Sequence, residues 1–374
     1  MMIRTILPVL AVAAALTLAT PSATAMPGDN SPGQLVAVEN LSPVASLPQT
    51  GRSGKLTYWT RGPHDSPMIS SGAVYVPAGN APPEGWPVIA WAHGTVGVAD
   101  HCAPTTAGRS ERDIAYLEHW LARGYAIVAT DYVGLGTPGV HPYLDGKSAA
   151  HSVIDAVRAA RAQDATLSAR WVAMGQSQGA HAALFTSTMA TREAPELDFR
   201  GAVATGPPSQ MEKLLPTAGP WFPPLPLRGT AAYFAYILDG LRAARPELDI
   251  DSYLTPLGRQ VLDGIETLCV LESFDTYAGL SVGQLLSRPL ADADLLAAAG
   301  QTLAVPTVGH DRPIFVAQGT ADRDVPPPMT YALIGELTLG GADVRFHPYG
   351  TDHSGTMAAS LPDSTPFVAG LFAS

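Results

Sequence analysis

Cysteine is scarce: Cys102 and Cys269 are the two in 374 residues. Two thiols cannot knit a disulfide-rich miniature scaffold. They cannot hold a structural zinc ion without histidine help either, and no histidine pair at metal spacing lies near them. Charge is also sparse, at 15% of residues, and basic charge is the shorter kind, with Lys+Arg 22 against Asp+Glu 33 and a net charge of −11. That balance argues against nucleic acid or an acidic substrate, because phosphate binding wants a basic surface. Beyond the N-terminus no run is long and apolar enough to span a bilayer, and there is no internal repeat. What the chain has in quantity is glycine (36) and proline (34), hence many turns, and 46% apolar residues, enough for a sizeable core.

The first residues carry an address. Arg4 gives a positive start, an apolar run extends from Ile6 to about Ala19, and Ala23-Thr24-Ala25 offers a small-residue cleavage site. The expectation is a signal peptide over residues 1–25 and a secreted chain after cleavage near Ala25. Export means oxidising conditions, so Cys102 and Cys269 are expected to pair and close a very long loop.

Residues 26–50 are Pro/Ser/Gly-rich without periodicity and read as a poorly ordered lead-in. Residues 55–61 alternate and residues 71–76 form a second strand, with a turn-rich stretch between them, so the pair is expected to be antiparallel. From residue 87 to 204 strand and helix patterns alternate. Apolar runs at 87–93, 126–130, 170–174 and 200–204 sit between helical patterns at 110–123 and 148–162. That rhythm means a parallel sheet with helical crossovers. It breaks at Gly206 for about a hundred residues of proline-rich loops and helical patterns, then resumes with strands at 313–317 and 343–348 and a last helix. The spacing predicts an α/β core over 26–205 and 311–374 with a helical cap inserted at 206–310.

One stretch organises the rest: Trp171-Val172-Ala173-Met174-Gly175-Gln176-Ser177-Gln178-Gly179-Ala180. A strand ends in Gly-x-Ser-x-Gly and a helix follows, the form of a nucleophile elbow. Two further strand ends bear chemistry. Gln318-Gly319-Thr320-Ala321-Asp322 follows one, and Tyr349-Gly350-Thr351-Asp352-His353 follows the other. In a parallel sheet these ends share one rim, where ligands bind. Serine needs a base to take its proton, histidine titrates in the useful range, and a carboxylate orients the imidazole. Ser177, His353 and Asp322 are therefore the expected triad. Asp324 is expected to cap the following helix, and His347 to lie on the sheet face. An acyl oxyanion needs two donors, expected from the backbone N–H groups of Thr95, after Gly94, and Gln178, after the nucleophile. His93 is expected to buttress that loop and Asp131-Tyr132 to fix it. His101, His119, His141, His151, His181 and His310 show no ligand spacing and are expected to be surface or packing residues, and no metal or cofactor is called for. The stretch from Trp221 to Leu227 reads equally as acyl-site lining or cap core.

With the Ala-His-Gly-Thr loop, the Gly-Gln-Ser-Gln-Gly elbow, Gln-Gly-Thr-Ala-Asp-x-x-Val-Pro and the closing Asp-His, the chain resembles the secretory lipase family, lipase A type, of the α/β-hydrolase superfamily. It departs at Ala180, where many members have a further glycine, and in its single-glycine oxyanion loop. The resemblance implies an α/β-hydrolase fold and a secreted serine ester hydrolase acting without a cofactor on small-molecule or lipid esters, with transient contact to a lipid interface through the cap. An acyltransferase or serine peptidase with the same machinery, and an inactive binding protein on the same fold, are the alternatives. Oligomeric state is not legible.

Overall fold

The computed structural model describes residues 30–225, 227 and 229–373. The expected signal peptide lies outside the described residues.

Nine strands form one sheet: β1 (Leu35–Glu39), β2 (Thr50–Arg61), β3 (Pro67–Pro77), β4 (Trp86–Ala92), β5 (Ala126–Val133), β6 (Leu167–Gln176), β7 (Asp198–Thr205), β8 (Ile314–Gly319) and β9 (Val344–Tyr349). Their spatial order is β1-β2-β3-β5-β4-β6-β7-β8-β9. The pairs β1/β2, β2/β3 and β3/β5 are antiparallel. Every pair from β5/β4 to β8/β9 is parallel. The chain winds one way through β4 and β5 and the other way from β6 onward. The switch point therefore falls between β4 and β6, the crevice position for ligands in open parallel sheets.

Both faces of the central strands are buried, which is why those runs carry no alternation. Val88, Ala90 and Ala92 of β4 face the helices Gly146–Gln163 and Gln178–Glu193 in one core. Ile89 and Trp91 face Glu111–Leu121 and Thr356–Ala373 in the other. Helix Glu111–Leu121 starts where Ser110 accepts the Asp113 N–H at 3.2 Å, and Gly124 closes its end with φ +82°.

The lead-in expectation needs correction: residues 30–50 are ordered. Strand β1 pairs along β2, and Gly33 and Gln34 exchange hydrogen bonds with Trp59 at 2.7 and 2.9 Å. Further on, Leu47 is buried and the Tyr75 hydroxyl donates to the Ala45 carbonyl at 2.6 Å. An edge strand takes its order from ladder hydrogen bonds, so its valines (Val36, Val38) stay exposed and leave no buried pattern to read.

Between β7 and β8 the sheet is interrupted by an all-helical segment with its own core, centred on Ala235, Leu238, Leu262, Ile265 and Leu285. Its long helix Thr230–Ala244 carries Asp239, which is fully buried. Burial pushes that carboxyl up to about 7. The Arg242 guanidinium at 2.8 Å opposes the shift, but it is shared with Asp251, Asp263 and Glu266. The folded state thus keeps a proton that the unfolded chain releases near pH 3.8. Stability falls as pH rises through that window. Asp239→Asn keeps an acceptor for Arg242 and removes the titration. It is expected to melt above the parent at pH 8, with the gap closing by pH 4; melts showing one gap at both pH values would contradict this.

Candidate active site

Ser177 follows β6 at the N-cap of helix Gln178–Glu193 with φ 56° and ψ −122°. A non-glycine residue there is strained, and the neighbours that permit it are small for a visible reason. A Cβ on Gly175 would lie 2.0 Å from the Gly179 carbonyl oxygen, and one on Gly179 would lie 1.8 Å from that of Ala92. The turn is held as Ser177 N–H donates to the Thr205 carbonyl of the next strand at 2.9 Å.

The expected acid and base meet. His353 Nδ1 donates to Asp322 Oδ2 at 2.6 Å, and both residues are buried. Asp322 is further oriented by three donors: the N–H groups of Asp324 (2.9 Å) and Val325 (2.8 Å) on Oδ1, and Gln318 Nε2 on Oδ2 (2.9 Å). His353 Nε2 is buried with no hydrogen-bond partner. This pair lies against the strand next to the serine. Gly206, one residue past Thr205, has φ +60°, and a Cβ there would stand 2.9 Å from His353 Cε1. A nitrogen that can accept a proton, a carboxylate fixing its tautomer and a hydroxyl on the same rim are the parts of nucleophilic acyl transfer.

The loop after β4 and the start of helix Gln178–Glu193 supply the other parts. The backbone N–H groups of Thr95 and Gln178 have no acceptor among the described residues. Thr95 Oγ1 is hydrogen-bonded to the Tyr143 hydroxyl at 2.7 Å. The loop is fixed from below as expected. The His93 ring is buried, with Nδ1 2.7 Å from the Gly94 carbonyl, and burial lowers its pKa. The Tyr132 hydroxyl donates to the His93 carbonyl at 2.9 Å. Buried Asp131 accepts from Ser71 Oγ at 2.7 Å and from Thr105 Oγ1 at 2.5 Å.

A cavity of about 210 Å³ opens over Ser177. Its walls are mostly apolar and come largely from the inserted segment, with Met211, Leu215, Phe222, Phe234 and Ile237, while Arg323 and Asp324 also take part in the lining. Part of the 221–227 stretch therefore lines the cavity, while Trp221 stands 65% exposed.

Cys102 and Cys269 form a disulfide. Beside it Gly97 and Cys269 make an antiparallel bridge, and Val270 N–H donates to the Val96 carbonyl at 2.9 Å. The inserted segment is thereby fastened to the loop that carries Thr95. Replacing both cysteines by serine is expected to lower unfolding free energy by about 5 kcal/mol on the chain-entropy model. Denaturant titration with and without reductant measures it, and an unchanged midpoint would refute it.

Other expectations fare differently. Asp324 does not cap a helix: helix Pro327–Leu339 begins behind Pro326, which makes no side-chain cap. The Asp324 backbone is drawn to Asp322 instead, and its carboxylate accepts from the Tyr233 hydroxyl at 3.4 Å. His347 does lie on the sheet as expected, in β9 and ring-stacked on Phe315. Asp322, Asp324 and His353 bring ligand atoms within 4.8 Å of one another. A cation there would compete with the Asp322–His353 hydrogen bond. His101 stands beside Cys102 and Cys269, whose sulfurs are taken up in the disulfide. Two hydrogen-bond partners of the expected site residues escaped the sequence. Gln318 was visible only as an amide ending an apolar strand. His141, buried and 2.8 Å from Gln178 Nε2, gave no signal at all.

The sequence profile of the secretory lipase family matches residues 101–365. A Mycobacterium tuberculosis protein described as a probable inactive lipase is 25% identical over 332 residues, 80% of this chain and 69% of that one. Lipase A of Moesziomyces aphidis is 27% identical over 248 residues, 61% of this chain and 50% of that one. Among solved structures, Candida antarctica lipase A in its closed state aligns with a TM-score of 0.75 at 23% identity, covering 91% of this chain and 82% of that one. The rice cell wall degrading esterase LipA from Xanthomonas oryzae aligns with a TM-score of 0.70 at 19% identity, covering 91% and 97%. At such identities the likeness establishes the fold, that of the α/β-hydrolases.

Proposed function

We infer a function from one premise: this chain belongs to the secretory lipase family, a family of lipase/esterase-type hydrolases. It is an exported serine hydrolase of carboxylic esters, with residues 26–205 and 311–374 as catalytic core, 206–310 as cap and residues 1–25 removed on export. The observation that carries this reading is the buried Asp322–His353 pair at 2.6 Å, whose remaining imidazole nitrogen is unpartnered, on the rim that holds Ser177.

In this reading the Ser177 hydroxyl attacks the ester carbonyl while its proton passes to His353 Nε2. Asp322 holds the imidazole and stabilises its cation. The oxyanion is received by the N–H groups of Thr95 and Gln178, reinforced by the positive end of helix Gln178–Glu193. His353 returns the proton to the leaving alcohol, and water then releases the acyl group by the same route. The apolar cavity suits an acyl chain better than a peptide or a sugar. Leu214 and Leu225 line it and are also exposed, and Trp221 is close by in sequence, which favours contact with a lipid surface.

The relative described as inactive keeps a second reading in view, a binding protein on this fold. Two measurements decide. A fluorophosphonate probe is expected to label Ser177, and p-nitrophenyl esters of increasing chain length are expected to turn over, with rate depending on length. Purified chain that takes no probe and cleaves no ester would establish the second reading. Product analysis with competing alcohols separates hydrolysis from acyl transfer.

A further inference from the structure

His141 lies in the loop after β5 and is fully enclosed. Its Nδ1 is 2.9 Å from the Val133 carbonyl, and its Nε2 is 2.8 Å from Gln178 Nε2. A carbonyl can only accept, so Nδ1 carries the proton. Burial lowers the ring's pKa to about 4, so it is neutral at ordinary pH. Nε2 is then a bare acceptor, and Gln178 must present its NH2 group to it. The roles of all three groups follow from one carbonyl.

The same ring stacks on Tyr132, at 5.6 Å between centroids and 18° between planes. Tyr132 also packs on His93, with centroids 4.6 Å apart and its hydroxyl bonded to the His93 carbonyl. Tyr132 itself has φ 71°, a conformation the surrounding contacts must enforce. The end of β5 thus grips both segments whose N–H groups lack acceptors: His93–Thr95 after β4, and Gln178 after β6. The two segments also touch directly, since Gly94 packs on Gln176 and Gly179 on the Ala92 and His93 carbonyls, and the bracket of Tyr132 and His141 adds a side-chain tie to that backbone contact.

We propose that His141 is a positioning residue for ester hydrolysis, holding the Gln178 side chain and, through Tyr132, the His93–Thr95 loop, so that both backbone donors aim at one oxygen. The proposal rests on the hydrolase reading. Gln178 adjoins the nucleophile. Left unheld, its amide could turn its own carbonyl toward the donors meant for substrate. Misaimed donors weaken binding of the transition state more than of the ester, because the oxyanion exists only there.

The test compares His141→Phe, which keeps a ring against Tyr132 but neither hydrogen bond, with His141→Gln, which can still offer Gln178 an acceptor, and with Gln178→Met. Active sites are counted by fluorophosphonate titration, so that rates refer to folded, competent protein. With a short-chain p-nitrophenyl ester, His141→Phe is expected to lower kcat about tenfold with KM nearly unchanged, a fraction of what loss of a whole donor costs. His141→Gln restores most of it. Gln178→Met alone lowers kcat similarly, and the double variant His141→Phe/Gln178→Met is no slower than either single. Unchanged kcat in His141→Phe, or losses that multiply in the double variant, overturns the proposal. If His141→Phe does not fold, a wild-type kcat in Gln178→Met overturns it equally. A parent protein that takes no probe removes the hydrolase reading and this one with it. A parent that turns over beside an indifferent His141→Phe removes only this one.

Discussion

Ser177→Ala is expected to abolish fluorophosphonate labelling and to cut p-nitrophenyl ester turnover by about 10⁵–10⁶-fold, leaving what binding and oxyanion donors alone can do. The magnitude follows from the division of labour at the rim. Without the hydroxyl, the Asp322–His353 pair has no nucleophile to activate, and only water remains to attack. The fold should survive, because Ser177 holds its place by its backbone N–H to Thr205 and not by its side chain. A companion substitution separates chemistry from strain. At φ 56° an alanine is as strained as the serine, whereas glycine is at ease. Ser177→Gly should therefore be equally inactive yet more stable than Ser177→Ala, by about 1–3 kcal/mol if the whole strain is relieved. Denaturation midpoints measure that. Residual turnover above 1% of the parent in either variant would exclude Ser177 as the nucleophile.

The second large effect is expected for Asp322→Asn, about 10⁴-fold in kcat with little change in shape. The carboxylate receives four donors: His353 Nδ1, the Gln318 amide and two backbone N–H groups. An asparagine offers a single accepting oxygen. If that oxygen stays on the backbone side, its NH2 faces His353 and Gln318. The imidazole then turns its proton to Nε2, the atom that should receive one from Ser177. If the amide flips, its NH2 faces two N–H groups fixed in the loop. Either orientation leaves buried donors unmet, and a stability loss of about 1–3 kcal/mol should accompany the loss of rate. Probe labelling of the variant should be slow but complete. Labelling at the parental rate would mean that Asp322 does not govern the base.

Much of this was legible because the relevant signals are local. The elbow needs glycines on either side of one serine, and those glycines are close packed in space as the motif implies. Buried parallel strands announce themselves as apolar runs, and their ends must share a rim, so Asp322 and His353 could be paired across 31 residues of sequence. The disulfide followed from the address and from there being two cysteines. Strand β1 was not legible, because an edge strand can be held by its ladder while half its side chains stay wet. Asp324 was misread because a proline-rich approach to a helix replaces the side-chain cap. His141 was beyond reach for a different reason. A lone histidine in a loop carries no pattern, and its partners, Val133 and Gln178, come from different strand ends.

The bond between Cys102 and Cys269 also has a topological meaning. It turns the intervening chain, a separation of 167 residues, into a closed ring with two tails. Ser177 rides on the ring, whereas Asp322 and His353 ride on the C-terminal tail. A protease that nicks the ring anywhere between the two cysteines releases no fragment until a reductant arrives. A cut in the tail between residues 270 and 321 parts the nucleophile covalently from its acid and base at once.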